Sequence, residues 1–170
     1  MNIEGEGTMK ETNVEKAIQD IYPDEHAWCF GCGRLNKEGH QLRTGWQGDK
    51  TVTSFTPDSK YSGGIPKFVY GGLIASLFDC HSSGSASLAM HRKNGHEIGD
   101  GVLPPRFVTA SLNVEYLKPT PQNVPLTAIG RVEEIHPKRW KVKSEMYADD
   151  TLCARGEVEL VVIPSEFESR

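Results

Sequence analysis

The sequence predicts an α+β domain, with an antiparallel sheet of six strands wrapped round one long central helix and a short helix ahead of it. Three observations predict this. The last third alternates apolar and polar residues with period two, in four runs separated by tight turns. Two shorter strand-like runs occupy residues 41–47 and 50–56. Between these groups, residues 71–90 carry Leu73, Leu77, Phe78 and Leu88 at helical spacing among small residues.

Residues 1–11 are polar and glycine-containing, which predicts a flexible arm, and residues 12–170 read as a single domain. Thr12 and Glu15 have the spacing of a capping box. Val14, Ala17, Ile18 and Ile21 follow at helical spacing, so a short helix is predicted to about Tyr22, where Pro23-Asp24 ends it. A loop with Trp28 and Cys29-Phe30-Gly31-Cys32-Gly33 comes next. Gly48-Asp49 splits the first two strands as a hairpin turn. After the central helix, residues 91–106 form a polar Gly/Pro loop long enough to be functional, and it is a candidate cover for a site.

The final strands are read from their alternation. Val108, Ala110, Leu112, Val114 and Tyr116 make one apolar set, alternating with Thr109, Ser111, Asn113 and Glu115. Leu126, Ala128, Gly130 and Val132 make the next; Trp140, Val142, Ser144 and Met146 the third; Leu152, Ala154, Gly156, Val158 and Leu160 the last. These sets predict a sheet with one buried face.

Composition narrows the function. The 170 residues include 19 Lys plus Arg against 23 Asp plus Glu, a net charge of -4, which argues against nonspecific nucleic-acid binding. No apolar run approaches the roughly 20 residues of a membrane span, and the N-terminal stretch lacks the pattern of a secretory signal. A cytoplasmic location is expected, with no membrane or nucleic-acid partner. The four cysteines are irregularly spaced and do not form a disulfide framework. Cys29-x-x-Cys32 without a second Cys/His pair is a weak zinc signal, so a structural loop is favoured and no metal is expected. Cys80 and Cys153 read as core thiols, and His40, His91, His96 and His136 as solvated. The basic stretch Lys138, Arg139, Lys141, Lys143 reads as a solvated strand face rather than a phosphate-binding rim.

The chemistry concentrates at the start of the central helix. Gly71-Gly72 lies where the first backbone N–H groups lack intrahelical acceptors and the helix dipole is positive, and two glycines let a ligand approach closely. Such a terminus can hold a developing oxyanion. Two turns on, Asp79 stands in an otherwise uncharged stretch. It is a candidate general base or nucleophile, the alternative being an acid pointing to solvent from the helix flank. His81, two residues further, points to a different face and reads as a polar contact.

Tyr70-Gly71-Gly72 through Asp79 resembles the His-Gly-Gly…Asp motif of hotdog-fold acyl-CoA thioesterases, in the phenylacetyl-CoA thioesterase-like branch. Cys29-Phe30-Gly31-Cys32-Gly33 with Asn36 and Gly39 resembles the N-terminal loop of that branch. Tyr61-Ser62-Gly63-Gly64-Ile65-Pro66 resembles the segment before the motif, and the strand from Thr109 to Pro121 is the most specific match. The resemblance spans about residues 28–163. It implies a hotdog fold, a homodimer or dimer of dimers with sites at the subunit interface, acyl-CoA as substrate, and no cofactor. It further implies Asp79 as the catalytic carboxylate, the Gly72 region as oxyanion donor, and Thr109 as the residue that holds the water or the carboxylate. Tyr70, Gly71 and Leu73 would line the substrate site. The chain departs from the family in two places: Tyr70 stands for the motif histidine, and Gly64 lies near the place where related branches carry Asn or Gln. Because a phenol does not titrate near neutrality as imidazole does, the competing reading is a protein that binds acyl-CoA or another acyl ligand without turnover.

Overall fold

The computed structural model describes residues 14–164 and 167. The expected arm and Thr12 lie outside the described residues. Strand β1 (Thr44–Gln47) and strand β2 (Lys50–Phe55) form a hairpin across Gly48-Asp49. Gly48 has φ +64°, as such a turn requires. Helix α1 (Gly71–Lys93) follows, then β3 (Phe107–Tyr116), β4 (Leu126–His136), β5 (Arg139–Ala148) and β6 (Thr151–Val162). The six strands make one antiparallel sheet in the order β1-β2-β4-β5-β6-β3. Helix and sheet together are the hotdog arrangement.

Helix α1 is roughly 34 Å long. His91, Arg92 and Lys93 occupy its last turn, where they complement the dipole, so it runs one residue triplet beyond the predicted end at Met90. Leu73, Ile74, Leu77 and Phe78 form a core with Leu42, Leu126, Ala128, Met146 and Ala154. Further along, Ala86 packs with Phe107, Trp140, Val142, Val158 and Leu160. Ser85 is buried too; its hydroxyl donates to the His81 carbonyl at 2.7 Å and lies 2.6 Å from Thr51 Oγ1. The Ser85 hydroxyl is therefore paired inside the core, whereas the buried Ser82 and Ser144 hydroxyls have no hydrogen-bond partner among the described residues.

The predicted short N-terminal helix is instead two 3-10 turns, Ile18–Ile21 and Asp24–His26. Pro23 holds the residue before it extended, and Tyr22 has ψ 135°, so an α-helix cannot propagate through it. The first turn is fixed by tertiary contacts: Gln19 Oε1 accepts from the Thr44 backbone N–H at 2.8 Å, and Ile18 and Tyr22 pack on Leu88.

The buried face predicted for β3 is also corrected. β3 is an edge strand, and Val108, Leu112 and Tyr116 are 46%, 38% and 54% exposed. Its register against β6 shifts between Thr109 and Ser111, so Ala110 is an extra residue. Before the shift Thr109 stands opposite buried Leu160; after it Leu112 stands opposite buried Val158. A one-residue bulge reverses which set faces the helix, so simple alternation misplaces the first part of the strand.

Two histidines expected in solvent are not there. His91 is buried on the last turn of α1, with Nε2 3.3 Å from the Glu97 carbonyl. His40 is half-buried among Phe30, Phe55 and Tyr61, its Nδ1 3.0 Å from the Tyr61 hydroxyl. Burial, reinforced by Lys60, holds its imidazole below the usual range.

Candidate active site

α1 and β3 bring the predicted residues together. The Thr109 hydroxyl donates to Asp79 Oδ1 at 2.5 Å, a contact between residues 30 apart in sequence. Asp79 is half-buried and Thr109 exposed, so the pair is open on one side. Among the described residues, Asp79 Oδ2 has no hydrogen-bond partner. Two turns back, Tyr70 caps the helix with φ -71° and ψ 148° and no side-chain hydrogen bond to its first amides. The Leu73 N–H donates to the Tyr70 carbonyl at 3.2 Å, so Gly71 and Gly72 precede the intrahelical ladder. Tyr116, from the other end of β3, donates its hydroxyl to the Gly71 carbonyl at 2.8 Å. β3 thus braces the helix at Asp79 and at its N-terminus.

The Tyr70 ring folds back on Gly72. A Cβ at Gly72 would stand 2.5 Å from Tyr70 Cε2, so only glycine lets the ring lie there. Tyr70 remains 45% exposed, and Gly72 is exposed beneath it. Leu73 is different: it is fully buried in the main core and presents no surface to a ligand.

His81 is fully buried, its Nδ1 2.8 Å from Thr53 Oγ1, and it faces away from Asp79. Burial pushes its imidazole down to about 3, so it is neutral at physiological pH and acts as a polar contact. The loop at residues 94–106 lies beyond the opposite end of α1 from Gly72, where its Leu103 and Arg106 face Pro23 and His26. It does not cover Gly72. A concavity of about 510 Å³ lies on the outer sheet face between charged residues such as Arg131, Glu145 and Glu157. It touches none of Asp79, Thr109 or Gly72, so a single chain does not enclose these groups. On that face Lys141 pairs with Glu157 at 2.9 Å and Arg139 with Glu159 at 3.2 Å, as a solvated strand face does.

Sequence reasoning missed Tyr116 as a brace and Cys80 as a partner of the Cys29 loop. Both contacts join residues far apart in the chain, and neither has a local signal. Cys29, Cys32 and Cys80 form one thiol cluster. The neighbouring Cys32 and Cys80 thiols favour the Cys29 thiolate and draw that thiol well down, while the Cys32 thiol is pushed up to about 12.

The geometry pairs a carboxylate held by a hydroxyl with an accessible helix N-terminus on one helix. Residues 67–155, just over half of the chain, match the profile of the thioesterase superfamily. The chain belongs to the thioesterase superfamily. A thioesterase superfamily protein of Shewanella loihica is 41% identical, over 72% of this chain and 91% of that one, with a TM-score of 0.58. A Bacillus halodurans protein crystallised with CoA is 21% identical, over 77% and 82%, with a TM-score of 0.57. A phenylacetic acid degradation-related protein of Ralstonia eutropha is 19% identical, over 72% and 86%, with a TM-score of 0.55. The last two show the fold alone. No curated protein sequence matches the chain. Among the described residues, no helix is long and apolar enough to cross a membrane.

Proposed function

We propose that this thioesterase superfamily member hydrolyses an acyl-CoA thioester to the free acid and coenzyme A. The Thr109–Asp79 hydrogen bond carries the reading, because it orients a carboxylate toward the open side of α1. Thr109 occupies Oδ1 and leaves Oδ2 to take a proton from water. The water oxygen bonds to the thioester carbonyl carbon while the Gly72 N–H stabilises the resulting oxyanion. Collapse breaks the carbon–sulfur bond, and the proton on Asp79 passes to the departing CoA sulfur. In the alternative course an Asp79 oxygen bonds to the carbonyl carbon and the carbon–sulfur bond breaks, releasing CoA as its thiolate; water then hydrolyses the acyl–aspartyl intermediate, giving its OH to the acid and its proton to the thiolate. Tyr70 and Gly71 line the entrance, and Leu73 supports them from the core. No metal or cofactor takes part in either course.

The working unit is a homodimer or dimer of dimers. Its support is the long exposed edge of β3, with Val108, Leu112 and Tyr116, beside a site that one chain leaves open. The CoA held by the Bacillus halodurans protein, on the same fold, favours a CoA ester as ligand. The four free cysteines suit a reducing cytoplasm.

The test is free-thiol release from short, long and aromatic acyl-CoAs by wild type and Asp79→Asn. Loss of about 10²–10⁴-fold in the variant supports the mechanism. Equal rates would refute it. A second reading, acyl-CoA binding without turnover, is favoured by the Tyr70 ring lying over Gly72. Tight binding with no thiol release from any ester would select it.

A further inference from the structure

The fold adds a third thiol to the Cys29-x-x-Cys32 pair. The sulfurs of Cys29, Cys32 and Cys80 all lie within 4.8 Å of one another. Cys29 and Cys32 come from the loop before β1, and Cys80 from α1. The Cys29 and Cys80 sulfurs are 3.7 Å apart. In a tetrahedral site with metal–sulfur bonds of about 2.3 Å, two ligand sulfurs stand about 3.8 Å apart. The pair therefore already has the spacing of two ligands on one ion.

The loop is built to hold this arrangement. The Gly33 N–H donates to the Cys29 carbonyl at 2.7 Å, and the Leu42 N–H to the Gly31 carbonyl at 3.0 Å, closing the loop on itself. A Cβ at Gly31 would fall 2.2 Å from Cys80 Sγ, so glycine alone allows the loop to reach the helix sulfur. Cys32 and Cys80 are 8% and 6% exposed, whereas Cys29 is exposed. The cluster thus has an inner wall and a solvent side by which an ion can enter.

We propose that Cys29, Cys32 and Cys80 bind one thiophilic divalent cation of the zinc class, with the fourth position on the solvent side taken by water or an exogenous ligand. Its role is structural. The ion clips the loop to α1 at the residue after Asp79. Successive helix residues diverge by about 100°, so the ion does not touch the Asp79 carboxylate. The site stands independently of the thioesterase reading.

The test uses the full chain, reduced with a phosphine and desalted, with zinc and cobalt as probes. One zinc per chain by elemental analysis is expected, together with a thiolate-to-cobalt charge-transfer band on titration with Co²⁺. Cys29→Ser, Cys32→Ser and Cys80→Ser should each lose stoichiometric zinc and weaken the band, while Cys153→Ser keeps both. Circular dichroism checks that each variant is folded; Cys29, being exposed, is the position least dependent on packing. Reduced wild type that takes up neither metal would overturn the proposal, as would a full cobalt band in Cys29→Ser or Cys80→Ser. A Cys29–Cys80 disulfide in the untreated protein, with no metal uptake after reduction, would also overturn it.

Discussion

Thr109 reaches Asp79 from a strand position that plain alternation assigns to the opposite face of the sheet. The bulge at Ala110 makes the contact possible, because it lets Thr109 face α1 on one side of the shift and Leu112 on the other. Removing the hydroxyl should therefore affect turnover. Thr109→Val is expected to lower kcat about 10–100-fold with KM little changed. That matches the roughly 1.5–3 kcal/mol of a hydrogen bond to a charged group. Thr109→Ser should retain most activity. Steady-state thiol release checks this, and a Thr109→Val enzyme with wild-type kcat would remove Thr109 from the mechanism.

Gly72 separates stability from catalysis. Alanine is the better helix former by up to about 1 kcal/mol, and the Tyr70 ring that it would displace is exposed and free to swing out. Gly72→Ala should hold or raise the denaturation midpoint while lowering kcat/KM, because its Cβ crowds the oxyanion position. Unchanged kcat/KM would move the oxyanion donor elsewhere.

The β3 edge carries a prediction about assembly. Wild type should sediment as a dimer or a dimer of dimers. Val108→Lys should shift it toward monomer and reduce thiol release in parallel, with little change in monomer folding because Val108 is exposed. A wild-type monomer that turns over at assay concentration would place the whole site in one chain.

Tyr22 sets an alkaline limit. It is buried, with the Arg106 guanidinium 3.6 Å from its ring centroid. Burial raises its phenol from 10 to about 12, against the opposing pull of Arg106. The folded state favours the neutral phenol, so this contribution is intact below pH 10 and declines as pH rises toward 12. The loss is about 3 kcal/mol at most. Denaturation midpoints measured from pH 8 to 12 should fall less steeply in Tyr22→Phe than in wild type. Parallel curves would show that Tyr22 is not the group responsible.

Much of the fold was legible. Alternation in residues 126–160 gave most of the inner strands' buried face, since both neighbours of each are strands; Val132 and Leu152 are only partly buried, and Cys153 is buried beside Ala154 at a register shift. The helix start at Gly71 and the hairpin at Gly48-Asp49 followed from local chemistry. The N-terminal segment was not legible, because apolar spacing there serves contacts with Leu88 and Thr44 rather than a helix. The outer face of β3 was misread because an edge strand needs no buried side and the bulge breaks its period. His40 and His91 read as solvated in the sequence because burial of a polar ring depends on neighbours remote in sequence.

The sequence by itself determined the helix, the strand set, the carboxylate at Asp79 and the glycine pair ahead of it. These depend on period, turn residues and charge, which act over a few residues. Only the tertiary structure decided which groups meet. It brought Thr109 to Asp79, Tyr116 to Gly71, and Cys80 to Cys29 and Cys32. Each meeting depends on strand register or on close approach at a glycine, and these are fixed when the sheet closes round the helix.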